Sequence, residues 1–118
     1  MSSYQLNIKE VLAKIREINA RTVGLQFPEG LKMYATSVAR QIEEETGANV
    51  IISGDTCYGA CDVSDTAMKG LVDLLVYFGH TPLPLEYDVP VLFLEAEFQL
   101  DVTPAVIKAL DLLKDYKK

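Results

Sequence analysis

The sequence predicts one three-layer α/β/α domain, residues 1–118, built on a mostly parallel four-stranded sheet. Short apolar runs alternate along the chain with segments of helical periodicity, and the runs are apolar at nearly every position. Strands that are buried on both faces have this composition, whereas strands exposed on one face alternate between polar and apolar residues. A chain of 118 residues is long enough to form one hydrophobic core.

The first half of the chain has the pattern helix, strand, helix, strand. Apolar residues at helical spacing predict a first helix over residues 8–18, and an apolar run predicts a first strand over residues 22–27. A second helical pattern covers residues 31–46 and ends before Gly47, a residue typical of helix ends. The apolar run at residues 49–53 predicts the second strand.

The second half adds a helix, two strands and a closing helix. The third helix is predicted over residues 63–71, with Asp62 as its N-cap. Apolar runs predict strands at residues 73–78 and 89–95, and helical periodicity predicts a last helix over residues 103–116. The predicted order is therefore α-β-α-β-α-β-β-α.

Three distinctive segments each follow a predicted strand. Residues 27–30 follow the first strand, residues 55–62 (the cysteine loop) follow the second, and Gly79 and His80 follow the third. Ligands of open parallel sheets bind beyond the carboxyl ends of the strands, near the point where strand order reverses. We therefore expect the three segments to meet at one edge of the sheet.

The cysteine loop contains both cysteines of the chain, Cys57 and Cys61. Two cysteines and the single histidine, His80, are too few for a closed zinc site, and a disulfide-exchange motif has two residues between its thiols rather than three. The spacing is similar to the start of the radical S-adenosylmethionine (SAM) signature, although Ser64 occupies the place of the third cysteine. A position at the start of the predicted helix would favour the Cys61 thiolate. A small buried thiol without a ligand is an equally good interpretation of these residues alone.

Composition argues against several classes of function. The formal net charge of −6 disfavours a nucleic-acid-binding surface, and the apolar runs are too short to span a membrane. Two closely spaced cysteines and the absence of a recognisable leader favour a cytoplasmic protein without a disulfide scaffold.

Three motifs together resemble the first (N-terminal) domain of the diphthamide synthase (Dph1/Dph2) family. They are Leu-Gln-Phe-Pro-Glu-Gly-Leu at residues 25–31, Gly-Asp-Thr-Cys-Tyr-Gly-Ala-Cys-Asp at residues 54–62, and Tyr-Phe-Gly-His at residues 77–80. Their order and spacing match the family throughout, and the Tyr-Gly-Ala-Cys-Asp core is the most specific of the matches.

The resemblance implies the first step of diphthamide synthesis. A 3-amino-3-carboxypropyl group would pass from SAM to a histidine of translation elongation factor 2, with a [4Fe-4S] cluster as electron donor and methylthioadenosine as product. Family subunits have three similar domains that each give one cluster cysteine, and they form dimers. The resemblance assigns Cys61 as the iron ligand and makes Cys57 a non-ligand. It places the following residues at the cofactor site: Pro28, Glu29, Gly30, Tyr58, Gly59, Ala60 and His80.

The family's second and third domains, with their cysteines, have no counterpart in these 118 residues. We therefore expect the isolated chain to fold but to lack a cluster and activity, because its remaining ligands would come from other domains or partner chains. One alternative is a non-catalytic α/β binding or scaffold domain derived from the family. Another is an assembly in which Cys57, Cys61 and His80 share zinc between chains. The sequence assigns no catalytic side chain.

Overall fold

The computed structural model describes residues 4–116. Its helices are α1 (Ile8–Ile18), α2 (Ala35–Thr46), α3 (Asp65–Met68) and α4 (Thr103–Leu113), and a 3-10 helix (Glu29–Tyr34) leads directly into α2. Its strands are β1 (Tyr4–Leu6), β2 (Thr22–Gln26), β3 (Asn49–Ile52), β4 (Leu74–Phe78), β5 (Val91–Leu94) and β6 (Ala96–Phe98).

The main sheet has four parallel strands in the order β3-β2-β4-β5, which confirms the predicted fold class. The chain runs outward from β2 to β3 and then crosses back to β4 on the other side of β2. Strand order therefore reverses between β2 and β4, and a crevice is expected where these two strands end.

Apolar side chains cover both faces of the central strands β2 and β4, whereas the edge strand β3 is largely exposed. Helices α1 and α2 pack on one face over a core that includes the stacked rings of Phe27 and Phe78, whose centroids are 4.4 Å apart. On the other face, α3 and the segment after it contribute Met68 and Val72 to a smaller cluster. Gly24 permits this close packing, because a Cβ atom there would lie 3.1 Å from Leu75 Cδ1.

A two-stranded antiparallel ribbon, β1 with β6, is absent from the sequence prediction. Tyr4 pairs with Phe98 and Leu6 with Ala96 in this ribbon. Each strand has three residues, which is too short for an alternating pattern to be recognised.

The prediction of a third helix over residues 63–71 with Asp62 as its N-cap is wrong. The helix is a single turn, Asp65–Met68, and no side-chain cap is bonded to its start. The Asp62 carboxylate instead accepts hydrogen bonds from the backbone N–H groups of Tyr58 and Gly59, which precede it in the chain. An aspartate can stabilise a turn on either side of itself, and the sequence pattern alone does not distinguish the two.

The closing helix is present, but it ends at Leu113 rather than at residue 116. None of its residues is buried, and its large apolar side chains are more than half exposed. These exposed side chains include Val106, Ile107, Leu110 and Leu113. Within residues 4–116, every helix is too short or too polar to cross a lipid bilayer.

Candidate functional site: the cysteine loop and the adjoining cleft

The end of the cysteine loop is fixed by Gln26, the last residue of β2. This side chain is fully buried, so its amide requires hydrogen-bond partners. Its Nε2 donates to the Asp62 carbonyl at 2.5 Å, and its Oε1 accepts from the Ser64 N–H at 2.8 Å. One buried polar side chain at the end of β2 therefore holds two backbone groups at the end of the loop.

The start of the cysteine loop is held by Glu29, which begins the 3-10 helix after β2. The Glu29 N–H donates to the Cys57 carbonyl, and the Cys57 N–H donates to Glu29 Oε1, both at 3.0 Å. Lys32 Nζ contacts the same carboxylate oxygen and also donates to the Asp55 carbonyl at 2.8 Å. The bond from Lys32, followed by the Cys57 N–H, lowers the pKa of Glu29 below its usual value. An ionised Glu29 thus joins two of the three predicted segments.

Hydrogen bonds within the cysteine loop make it compact. Asp62 Oδ2 accepts from the N–H groups of Tyr58 at 2.9 Å and Gly59 at 3.0 Å. The buried hydroxyl of Ser64 contacts Asp55 Oδ2 at 3.0 Å and the Ser53 hydroxyl at 3.1 Å. The two ends of the loop are therefore tied together close to the end of β3.

The two cysteines occupy opposite environments. Cys57 is completely buried, and its Sγ lies 3.1 Å from the hydroxyl of Tyr77 in β4. Cys61 is exposed and lies in a turn four positions before α3 begins. The predicted advantage of a helix start for the Cys61 thiolate is therefore wrong, because the helix starts later and has a single turn.

A cleft of about 340 Å³ opens between the segments that follow β2, β3 and β4. It lies at the crevice expected from the strand order. Its lining contains five of the residues predicted at the cofactor site, namely Pro28, Glu29, Gly30, Tyr58 and His80. Gly59, Ala60 and Cys61 lie in the neighbouring turn and do not line the cleft.

The wall of this cleft depends on Gly79. Its φ of +84° is a left-handed conformation, and a Cβ atom there would lie 2.9 Å from Pro28 Cγ. Glycine therefore allows the segment after β4 to pass against the segment after β2.

His80 is the most notable polar group in the cleft wall. Its ring stacks on Tyr77 with centroids 5.4 Å apart. Its Nδ1 atom is buried and has no hydrogen-bond partner among the described residues. Buried polar atoms of native proteins are nearly always paired, so the unpaired nitrogen makes His80 the candidate ligand contact in the cleft wall.

The site fits an iron–sulfur cluster only as a source of one ligand. Across residues 4–116, no group of three or more His, Cys, Asp or Glu side chains is placed to hold a metal ion. Cys61 offers an exposed sulfur on a loop fixed at both ends, and the neighbouring Gly59 adds no side chain beside it. Cys57 would have to leave its buried position before it could bind a metal or bridge two chains.

Sequence reasoning did not identify Gln26, Lys32 or Tyr77 as site residues. A glutamine at the end of an apolar strand was a usable signal, because a buried amide must be paired. Tyr77 gave no such signal, because a tyrosine is ordinary in a buried strand and its partners are distant in sequence.

A family model described as "Putative diphthamide synthesis protein" matches residues 27–118 of the chain. Among curated relatives, subunit 1 of the 2-(3-amino-3-carboxypropyl)histidine synthase of Caenorhabditis elegans is 45% identical over 83 residues, which cover 70% of this chain and 21% of the relative. The human subunit 1 is 36% identical over 107 residues, which cover 86% of this chain and 24% of the relative.

A solved structure supports the same relationship. The crystal structure of Dph2 from Pyrococcus horikoshii with a 4Fe-4S cluster superposes with a TM-score of 0.88 at 30% sequence identity. The superposition covers 99% of this chain and 34% of that one. The chain thus spans between about a fifth and a third of the length of these relatives, and it belongs to the diphthamide synthesis protein family.

Proposed function

We propose that this chain contributes one cysteine, Cys61, to the [4Fe-4S] cluster of an enzyme that carries out the first step of diphthamide synthesis. The reaction would transfer the 3-amino-3-carboxypropyl group of SAM to a histidine of translation elongation factor 2. A cytoplasmic location belongs to the same proposal, because a reducing compartment keeps the cysteine available as a thiol.

The exposed thiol of Cys61 is the observation that carries this proposal. It lies on a loop that Gln26 and Glu29 hold at opposite ends, so the loop is formed without a metal. Preorganised ligands lose less conformational entropy on binding. The structural relative that matches 99% of the chain was crystallised with a 4Fe-4S cluster.

When bound, the cluster would supply the electron that cleaves the bond between the SAM sulfur and the aminocarboxypropyl arm. The role of this chain is to bind and orient. The thiolate of Cys61 would ligate one iron, and two further ligands would come from outside residues 4–116.

The cleft beside the loop is the proposed place for part of SAM. Pro28, Gly30 and Tyr58 would provide its walls, and the unpaired Nδ1 of His80 would provide a hydrogen bond. Glu29 would act mainly through the loop, because its carboxylate is already bonded to Lys32 and to the Cys57 N–H. Gly59 and Ala60 would keep space free next to the cluster.

Helix α4 supports the part of the proposal that concerns partners. Its exposed apolar side chains would be covered by further synthase polypeptide, since the relatives are three to five times as long as the matched region. Soluble proteins rarely expose such contiguous apolar surface without a binding role. A dimeric synthase is part of this proposal.

The test is anaerobic iron–sulfur reconstitution of the complete synthase, comparing Cys61→Ala with Cys57→Ala. Cys61→Ala is expected to lose the visible cluster absorbance and most of the bound iron, whereas Cys57→Ala is expected to keep both. Equal losses in the two variants, or a loss only in Cys57→Ala, would contradict the assignment. Far-UV circular dichroism of both variants checks that they are folded.

A further inference from the structure

Tyr77 contacts two parts of the cysteine loop through a single hydroxyl group. The hydroxyl donates its proton to the Gly59 carbonyl, and it lies 3.1 Å from Cys57 Sγ. A phenol has one proton, so the hydroxyl that donates to Gly59 can only accept from the thiol. The Cys57 thiol is therefore the donor in this contact.

The Tyr77 ring is itself fixed in place. It lies in β4 with no exposed surface, stacks on His80, and meets Phe93 edge to face at a centroid distance of 5.6 Å. Burial raises the pKa of Tyr77, so its hydroxyl stays protonated at neutral pH. The position of the hydroxyl therefore follows directly from the central sheet.

We propose that Tyr77 is a positioning residue that determines which of the two cysteines is offered for ligation. Its hydroxyl holds Cys57 in its buried position, and it anchors Gly59 two positions before Cys61. Cys61 remains the only reactive thiol of the loop. The consequence for cluster ligation rests on the proposed function, whereas the difference in accessibility between Cys57 and Cys61 is a property of the chain alone.

Thiol alkylation of the chain without any cluster tests this inference. The chain and its Tyr77→Phe variant are treated with iodoacetamide under native conditions, and the modification of each cysteine is followed by peptide mass spectrometry. Tyr87→Phe is the matched control, because the Tyr87 hydroxyl donates to the Leu83 carbonyl at 3.4 Å in an exposed contact. Leu74→Ala is a second control, which destabilises the same buried strand from a core cluster that contains no residue of the cysteine loop.

Cys61 is expected to react rapidly in all four proteins, and Cys57 is expected to be protected in the parent chain and in Tyr87→Phe. Leaving the Cys57 thiol and the Gly59 carbonyl unpaired should raise the rate of Cys57 modification by about 5- to 100-fold in Tyr77→Phe. The comparison with Leu74→Ala is made at urea concentrations that give the two variants equal global stability. If Tyr77 acted only through core packing, Cys57 would be alkylated at the same rate in the two variants at these urea concentrations.

Faster Cys57 modification in Tyr77→Phe at matched global stability supports the inference. Equal rates in the two variants, or rapid Cys57 modification in the parent chain, would overturn it. These outcomes are independent of the cluster assignment, since a synthase that keeps its cluster in Cys61→Ala would refute the proposed function without changing the alkylation result.

Discussion

Replacing Gln26 with leucine tests whether the cysteine loop depends on the central sheet for its shape. Leucine has nearly the same size and keeps the strand apolar, but it cannot pair with the Asp62 carbonyl or the Ser64 N–H. The substitution therefore removes two hydrogen bonds that join β2 to the end of the loop, with little change in packing volume.

The expected cost follows from the exposure of the two groups that lose their partner. Asp62 is half-buried, so water can replace the glutamine amide at its carbonyl, whereas Ser64 is only 7% exposed. An unpaired buried N–H group costs about 1–3 kcal/mol. We therefore expect the free energy of unfolding to fall by about 2 kcal/mol, which lowers the urea midpoint by about 1 M for a domain of this size.

Urea unfolding followed by far-UV circular dichroism measures this effect, with Gln41→Leu as the control. Gln41 lies on the exposed side of α2 and its side chain bonds to the Glu45 carboxylate at 3.0 Å, so its replacement should change stability by no more than about 0.5 kcal/mol. If Gln26→Leu shifted the midpoint no more than Gln41→Leu, the loop would not be anchored through this amide.

Three further predictions concern the cleft, the acid range and α4. Gly79→Ala should destabilise the chain by about 1–3 kcal/mol because of its left-handed backbone, and by more because the added methyl group would contact Pro28. Gly30→Ala should be nearly neutral, and thermal unfolding of the two variants measures the difference. The lowered pKa of Glu29 contributes stability that is present above about pH 4.5 and is lost as the pH falls through the folded-state pKa. The urea midpoint of Glu29→Gln should therefore depend less on pH in this range than that of the parent chain. An unchanged pH dependence would contradict the role of the carboxylate. Leu110→Asp should leave the stability of the isolated chain unchanged, because Leu110 is 57% exposed. The same substitution should destabilise the complete synthase by at least about 2 kcal/mol. Equal effects in the isolated chain and in the synthase would show that α4 stays uncovered.

The main sheet could be predicted from the sequence because each of its strands is an apolar run that turn residues delimit. The sequence failed where structure depends on partners that are distant in the chain. The ribbon of β1 with β6 joins segments about ninety positions apart, and neither strand has a pattern of its own. The third helix was predicted too long because Asp62 matched an N-cap pattern, although its carboxylate is bonded to Tyr58 and Gly59 instead.

The position of the candidate site was predictable from topology, but the contacts within it were not. Parallel strands brought the segments after β2, β3 and β4 together, as the alternation of strands and helices implied. The sequence did not show that Glu29 would bond to Cys57, or that Tyr77 would lie beside the same residue. Such contacts depend on strand order and register, which the short apolar runs leave open.

The three anchors of the cysteine loop act at different points, and this arrangement explains how the chain can present a single exposed thiol. Gln26 holds residues on the far side of Cys61, Glu29 holds the backbone of Cys57, and Tyr77 holds the Gly59 carbonyl between them. All three side chains come from β2, the segment that follows it, or β4, so the position of the loop is fixed relative to the central strands of the sheet. In the proposed cluster site, a thiolate held in this way would lose little conformational entropy on binding iron, which would matter most where the other ligands come from other domains or chains.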